Sequence, residues 1–351
     1  MVLLIFTMSS EKNKYDKNTV SDIVIGVPVR NEEKTIFENL CSIRKAVLFT
    51  KRDMLIVICI NGCIDNTKIY VQKFIKTYPD MKCLIIESEE GLVNAQRAIV
   101  TFFPAKIYIF VDADMLIKEN SIKFLIDELE KNPETILDYA KTVPLKHDDP
   151  LSIPYRLSLL YNSQKYLTKR YYFHGRLFAT KDWFIPSNEE IIHRASQSYL
   201  GRLLLNKYSK NGILFNAVDV YMSAYLIKKY GLNSIKQISE AECYPWLINT
   251  WKDWWLNYRR IRIEVRKVKI WFHEFKNIRP YLYRYTNWKK WVRTSFSDRF
   301  LWLIYIFMCS IFEIAIYLEF LMSMMNIYEP KDQWEITATT KKQLPKINIF
   351  L

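Results

Sequence analysis

Glycine is scarce, with seven in 351 residues against 23 Tyr, 20 Phe and 10 Trp, which excludes a glycine-rich repeat, a collagenous chain and a linker-dominated one. No internal repeat or low-complexity tract occurs. Six cysteines, at 41, 59, 63, 83, 243 and 309, form no C-x-x-C pair and lie near none of the four histidines at zinc-site spacing, so the pattern excludes a structural zinc site. Cys41, Cys59 and Cys83 fall on predicted helix or strand faces, where a free thiol acts as a small apolar group; a reducing, cytoplasmic compartment is expected. The opening MVLLIFTMSS lacks a basic n-region and is too short to span a bilayer, so no signal peptide is read there. Half the residues are hydrophobic, which excludes disorder as the default and supplies one large core or two smaller ones.

From Asp22 the chain alternates strand-like and helix-like segments. Strands are predicted at DIVIGVPV (22–29), MLIVICI (54–60), KCLIIES (82–88) and KIYIFVD (106–112), with helices over Lys34–Phe49, Thr67–Tyr78, Val93–Phe103 and Ser121–Lys131. Short apolar runs separated by amphipathic segments of this length are βαβ units, so the chain is α/β: a Rossmann-like, mostly parallel sheet with helices on both faces. Further on, the pattern predicts a strand over Thr135–Val143, helices over Ser152–Arg170 and Val220–Tyr230 with Gly231 as the C-terminal stop, and a short strand over Asn233–Ile238.

In such sheets ligands bind beyond the carboxyl ends of the strands, and the unusual polar clusters sort there. Arg30, Asn31 and Glu32 follow the first strand, Asn61, Gly62 and Asp65 the second, and Asp112 and Asp114 the fourth. Alternation along a strand points both Asp side chains the same way, and two carboxylates leaving water need a cation or a polar ligand in compensation. A divalent metal holding a phosphorylated substrate fits; a strand end followed by a helix cap is the plainer alternative.

The motifs IGVPVRNEEKTI, ICINGCIDNT, GLVNAQRA, IFVDADM and AVDVYMSAYL, taken in order, resemble family 2 glycosyltransferases of the GT-A fold over roughly Asp22 to Gly231. The resemblance implies a nucleotide-sugar donor held by Pro28, Arg30, Asn31 and Glu32, with Asn61 standing where the family usually has an acid that contacts the base. It places Gly91 and Arg97 near the donor, Asp112 on the ribose or metal side, and Asp114 on Mn²⁺ or Mg²⁺ bridging the phosphates. Asp219 then corresponds to the base that accepts the proton of the attacking hydroxyl, giving inversion; a helix N-cap is its structural alternative. His174, followed by Gly175 and Arg176, resembles the stretch lining the acceptor pocket. Arg259 and Arg260 resemble an element that closes over the diphosphate, without the Gln and Trp of processive members. The donor best matched is a UDP-sugar, and the acceptor a glycan, a lipid-linked molecule or a small molecule. A nucleotidyltransferase on the same fold is the rival enzyme; the first strand lacks its G-x-G-x-R loop.

Between Thr250 and Trp302 there are 14 Lys or Arg against 4 Asp or Glu, the larger part of a net charge of +14. With its Trp and Tyr residues this stretch suits phosphates, an anionic membrane or single-stranded nucleic acid, although Asp112 and Asp114 repel nucleic-acid phosphates and no nucleic-acid partner is expected. Phe300 to Met325 is nearly continuous apolar sequence interrupted by Glu313 and Glu319. A central Glu costs on the order of 2 to 3.5 kcal/mol on insertion, so a helix in the interface plane, flanked by Trp288 and Trp291, is expected over a spanning one, and a buried core helix is the alternative. The division expected is an extension over 1–21, a GT-A domain over 22–240, a basic aromatic region over 241–299, the hydrophobic helix over 300–326 and a tail over 327–351, with the protein peripheral at, or anchored to, the cytoplasmic face of a membrane.

Overall fold

The structure, a computed structural model, describes residues 5–6, 21–145, 152–163, 166–168, 171–209, 213–282, 285–330 and 342–345. The elements run β1 (Ile5–Phe6), β2 (Ile23–Val29), α1 (Ile36–Thr50), β3 (Leu55–Asn61), α2 (Thr67–Thr77), β4 (Cys83–Ser88), α3 (Leu92–Phe102), β5 (Ile107–Val111), β6 (Met115–Ile117), α4 (Ser121–Lys131) and β7 (Leu137–Thr142). There follow α5 (Ile153–Asn162), β8 (Leu177–Thr180), α6 (Asn188–Ser196), α7 (Tyr199–Tyr208), α8 (Val218–Tyr230), β9 (Ile235–Pro245), α9 (Trp251–Trp271), α10 (Trp288–Val292) and α11 (Phe296–Met324).

Among the described residues the strands form one sheet in the order β1-β4-β3-β2-β5-β8-β7-β9-β6. β1, β4, β3, β2 and β5 are mutually parallel, as the βαβ rhythm requires, while β8 runs antiparallel to both β5 and β7. Every residue of β2 and β3 is buried, because helices cover both faces. Alternate residues serve opposite layers: Ile25 and Val27 pack with α1, α2 and α4, whereas Val24 and Val57 pack with α3 and the later helices. Full burial of each such side chain contributes about 1.5–3 kcal/mol.

Four expectations are corrected. α5 ends at Asn162, short of Arg170, and Leu167 bridges Thr286 instead. β9 extends to Pro245, because its second half pairs with β6 as well as β7, so a boundary at 240 cuts a strand. The apolar helix begins at Phe296, where Ser295 caps it by accepting from the Asp298 amide at 3.2 Å. Its two glutamates are not stranded in apolar surroundings. Arg259 of α9 grips Glu319 through two hydrogen bonds of 2.7 and 2.5 Å, and Arg262, Arg266 and Tyr258 meet Glu313. Much of the basic excess in α9 therefore neutralises α11 and is not a free surface for phosphates.

Candidate active site

The fourth strand of the sequence pattern stops at Val111, and Asp112 to Asp114 form a turn leading into β6. A turn, not strand alternation, brings the two carboxylates together. Asn39, wholly buried on α1, fixes it by donating from its side-chain amide to the carbonyls of Asp112 and Met115 at 2.9 and 2.7 Å. From the other side the Asp112 amide donates to the Arg176 carbonyl at 2.8 Å, continuing the antiparallel ladder in which Val111 faces Leu177.

The ladder carries the Arg176 side chain to the acids, and its guanidinium also donates to Thr142 Oγ1 at 3.1 Å. Burial pushes the Asp112 carboxyl well above the usual carboxylate range; the neighbouring Asp114, and Asp219 beyond it, push the same way, against Arg176 and Arg260. Asp114 is raised too, chiefly by burial, against the same two arginines. Burial in turn lowers Arg260, which Asp114, Glu264, Asp112 and Asp219 favour in its charged form. Three carboxylates thus face two guanidiniums, and when all are ionised one negative charge is left over. Hard oxygen donors with excess negative charge suit Mg²⁺ or Mn²⁺, so Asp112 and Asp114 fit a divalent ion. They are two ligands and not a finished cage: among the described residues no three His, Cys, Asp or Glu side chains group closely enough to hold a metal. An ion here needs oxygens of a ligand or water to complete its shell.

Asp219 enters from the first turn of α8, where its Oδ1 accepts from the Val220 amide at 2.9 Å. Ala217 occupies the N-cap position, and Asp219 instead satisfies an amide of the first turn. The loop before α8 is pinned by α9: Glu264 accepts from the Asn216 amide at 2.5 Å, and buried Lys267 donates to the carbonyls of Tyr208 and Leu214 at 2.8 Å each. Asn216 in turn accepts from the Leu92 amide at 3.0 Å, tying this loop to the start of α3 beside Gly91. Gly91 has φ of 122°, a conformation L side chains rarely adopt.

The loops after β2 and β3 lock together. Pro28 lies in β2; Arg30 pairs with Glu90; Asn31, at φ 53°, accepts from the Ile64 amide at 2.9 Å; and buried Glu32 donates its backbone N–H to Thr67 Oγ1 at 2.7 Å and accepts from Thr35 Oγ1 at 2.8 Å. Asn61, 4% exposed, donates to the Val29 carbonyl at 3.1 Å and accepts from the Gly91 amide at 3.4 Å, so it staples three strand-end loops.

Two further assignments change. Arg97 turns away to the Pro186 carbonyl at 2.6 Å and Asn188 Oδ1 at 3.0 Å, which makes it a brace for α6. Arg259 belongs to the Glu319 pair, while its neighbour Arg260 faces the acids. His174 lies beside the cluster, with Nε2 3.0 Å from Thr142 Oγ1 and its ring edge-on to Tyr139 at 5.1 Å. Asn39 and the charge role of Arg176 escaped the sequence reading; the signal for Asn39 was an amide inside the apolar stripe of Ile36, Leu40 and Ile43.

A mixed, mostly parallel sheet with acids, arginines and a helix-borne carboxylate at its carboxyl edge places this cluster where α/β domains bind their ligands. Residues 24–185 match glycosyl transferase family 2, and the chain carries a glycosyltransferase domain of that family. No curated protein sequence matches the chain. Among solved structures it is similar to a mannosyltransferase from Pyrobaculum calidifontis in complex with GDP-Man and Mn²⁺, at 16% identity and TM-score 0.45, covering 70% of this chain and 64% of that one. It is also similar to glucosyl-3-phosphoglycerate synthase from Mycobacterium tuberculosis in complex with Mn²⁺, UDP-glucose and phosphoglyceric acid, at 15% identity and TM-score 0.42, covering 71% and 80%. The chain thus spans just under two thirds of the length of the mannosyltransferase.

Proposed function

We propose that the protein is an inverting, metal-dependent glycosyltransferase that moves one sugar from a nucleotide donor, a UDP-sugar, to a hydroxyl or amine of a glycan, a lipid-linked molecule or a small molecule. The observation that carries this reading is that Asp112 and Asp114, from one turn, and Asp219, from the first turn of α8, share the charge of Arg176 and Arg260 at the carboxyl edge of the sheet.

Asp112 and Asp114 would hold Mn²⁺ or Mg²⁺, which when bound neutralises charge growing on the leaving nucleoside diphosphate. Arg260 and Arg176 supply fixed positive charge to the same phosphates, and Arg suits them through its planar fork of donors. The interlocked loops from Pro28 to Glu32 and from Asn61 to Asp65 present the surface for ribose and base. Asp219 takes the proton from the attacking group as that group bonds to the sugar's anomeric carbon and the bond to phosphate breaks on the opposite face. One bond forms as one breaks, and the nucleoside diphosphate leaves with the electron pair.

A thermal-shift panel of UDP, GDP, CDP and dTDP, with and without Mn²⁺, tests the reading. Ligand at a hundred times its Kd stabilises the folded state by about 2.7 kcal/mol, a readable shift. The expected result is a shift with UDP that requires Mn²⁺ and vanishes in Asp114→Asn. Failure of every nucleoside diphosphate to shift the transition overturns it.

A further inference from the structure

α11 presents two faces with different chemistry. Leu301, Trp302, Phe312, Ile316, Glu319 and Ser323 are buried against the domain, while Phe300, Leu303, Phe307, Ile311, Ile314 and Leu318 form a continuous exposed stripe along the other side. The exposure is large, 64% at Phe307 and 61% at Ile314. Of its most apolar 18 residues only 22% are buried. A stripe this long exceeds the scattered apolar residues of an ordinary soluble surface.

Charge identifies the occupant. At the N-terminal end of the stripe α10 exposes Lys289 and Lys290, with Arg293 just beyond it and the indole of Trp288 among them. Exposed lysines and tryptophan beside an apolar helix face are the chemistry of the boundary between anionic headgroups and acyl chains. We infer that the outer stripe of α11 and the basic end formed by α10 dock the protein flat on an anionic membrane.

The inward face decides flat over spanning. Its buried residues run from Leu301 to Ser323, about 33 Å of helix at 1.5 Å per residue, so the domain holds α11 along most of its length. Crossing the bilayer would carry the Arg259–Glu319 pair, and Glu313 with Arg262 and Arg266, into hydrocarbon or tear them apart. Lying flat leaves these pairs in the protein and buries only the exposed stripe.

The test is sedimentation of the full-length protein with phosphatidylcholine vesicles containing or lacking phosphatidylserine, without any donor present, so that its outcome is independent of the transfer reaction. Binding to the anionic vesicles that weakens with salt is expected. Lys289→Ala with Lys290→Ala should lower partition about 25-fold, at about fivefold per lysine on an anionic surface. Phe307→Asp with Ile314→Asp should abolish it, with an unfolding transition unchanged because both side chains are exposed. Three results overturn the inference: protein that stays in solution with anionic vesicles, retention that survives carbonate extraction as a spanning helix does, or a concentration-dependent dimer that the Phe307→Asp, Ile314→Asp variant converts to monomer.

Discussion

Removing the Glu319 side chain should destabilise the protein far more than its place in an apolar helix suggests. The Arg259 guanidinium makes a two-pronged contact with the carboxylate, and the side chains are only 7% and 10% exposed. With Glu319→Ala the positive charge stays buried without its counter-ion, and breaking such a pair from one side costs about 3–5 kcal/mol. Replacing both partners by apolar residues, as in Arg259→Met with Glu319→Leu, removes the charge together with its partner and is expected to be neutral or stabilising. The single losses of Arg259→Met and Glu319→Leu therefore fail to add in the double variant, with a coupling of several kcal/mol. The Lys82–Asp53 pair, 63% and 66% exposed, is the internal control, for which deletion should cost no more than about 1 kcal/mol. Urea unfolding followed by tryptophan fluorescence gives each of these values. If Glu319→Ala loses no more than the surface control, or if the double variant loses the sum of the singles, the argument from burial is wrong.

Asp219→Asn should keep donor binding and lose transfer by ~10²- to 10⁴-fold, since an amide cannot accept the acceptor's proton; turnover within a few-fold of wild type would return Asp219 to a structural role. Asn39→Ala leaves the carbonyls of Asp112 and Met115 without their buried donor, so a loss of about 1–3 kcal/mol in unfolding free energy is expected, together with weaker Mn²⁺-dependent UDP binding by calorimetry. Asp138, fully buried in β7, is raised well above the ordinary carboxyl range by burial and then by Glu128, against Lys181, Lys236 and the Ala179 amide. Because the folded state holds this proton longer than the unfolded chain, its contribution is fully present below about pH 4 and falls away as pH rises through the folded-state value. Asp138→Asn should thus gain on wild type by about 1.4 kcal/mol per pH unit across that interval, and parallel stability–pH curves for the two proteins would contradict it.

The first half of the fold was legible because each buried strand is a single apolar run and each helix between them carries its own stripe, both of which are local signals. β6 and β8 were not, since Met115–Ile117 and Leu177–Thr180 are too short to show a period and are strands only because distant segments pair with them. The same distinction governs the site. Asp112, Asp114 and Asp219 stand in recognisable strings, whereas Arg176 reaches the acids through the unseen β8 ladder. Arg259 and Arg260 are adjacent in sequence and differ only in direction around α9. Which of them met the acids depended on Glu319, sixty positions away.

That adjacency has a thermodynamic corollary. Arg259 pairs with Glu319 on α11 and Arg260 faces the acid cluster, so a single helix carries both contacts. The two surfaces thus share α9, and any free energy coupling two sites is reciprocal. Whatever factor bilayer attachment applies to nucleotide affinity, nucleotide must apply to attachment. If the protein docks on a bilayer and takes a nucleotide donor, the ratio of its partition coefficients with and without donor measures the coupling along α9, and a ratio of one means that there is none.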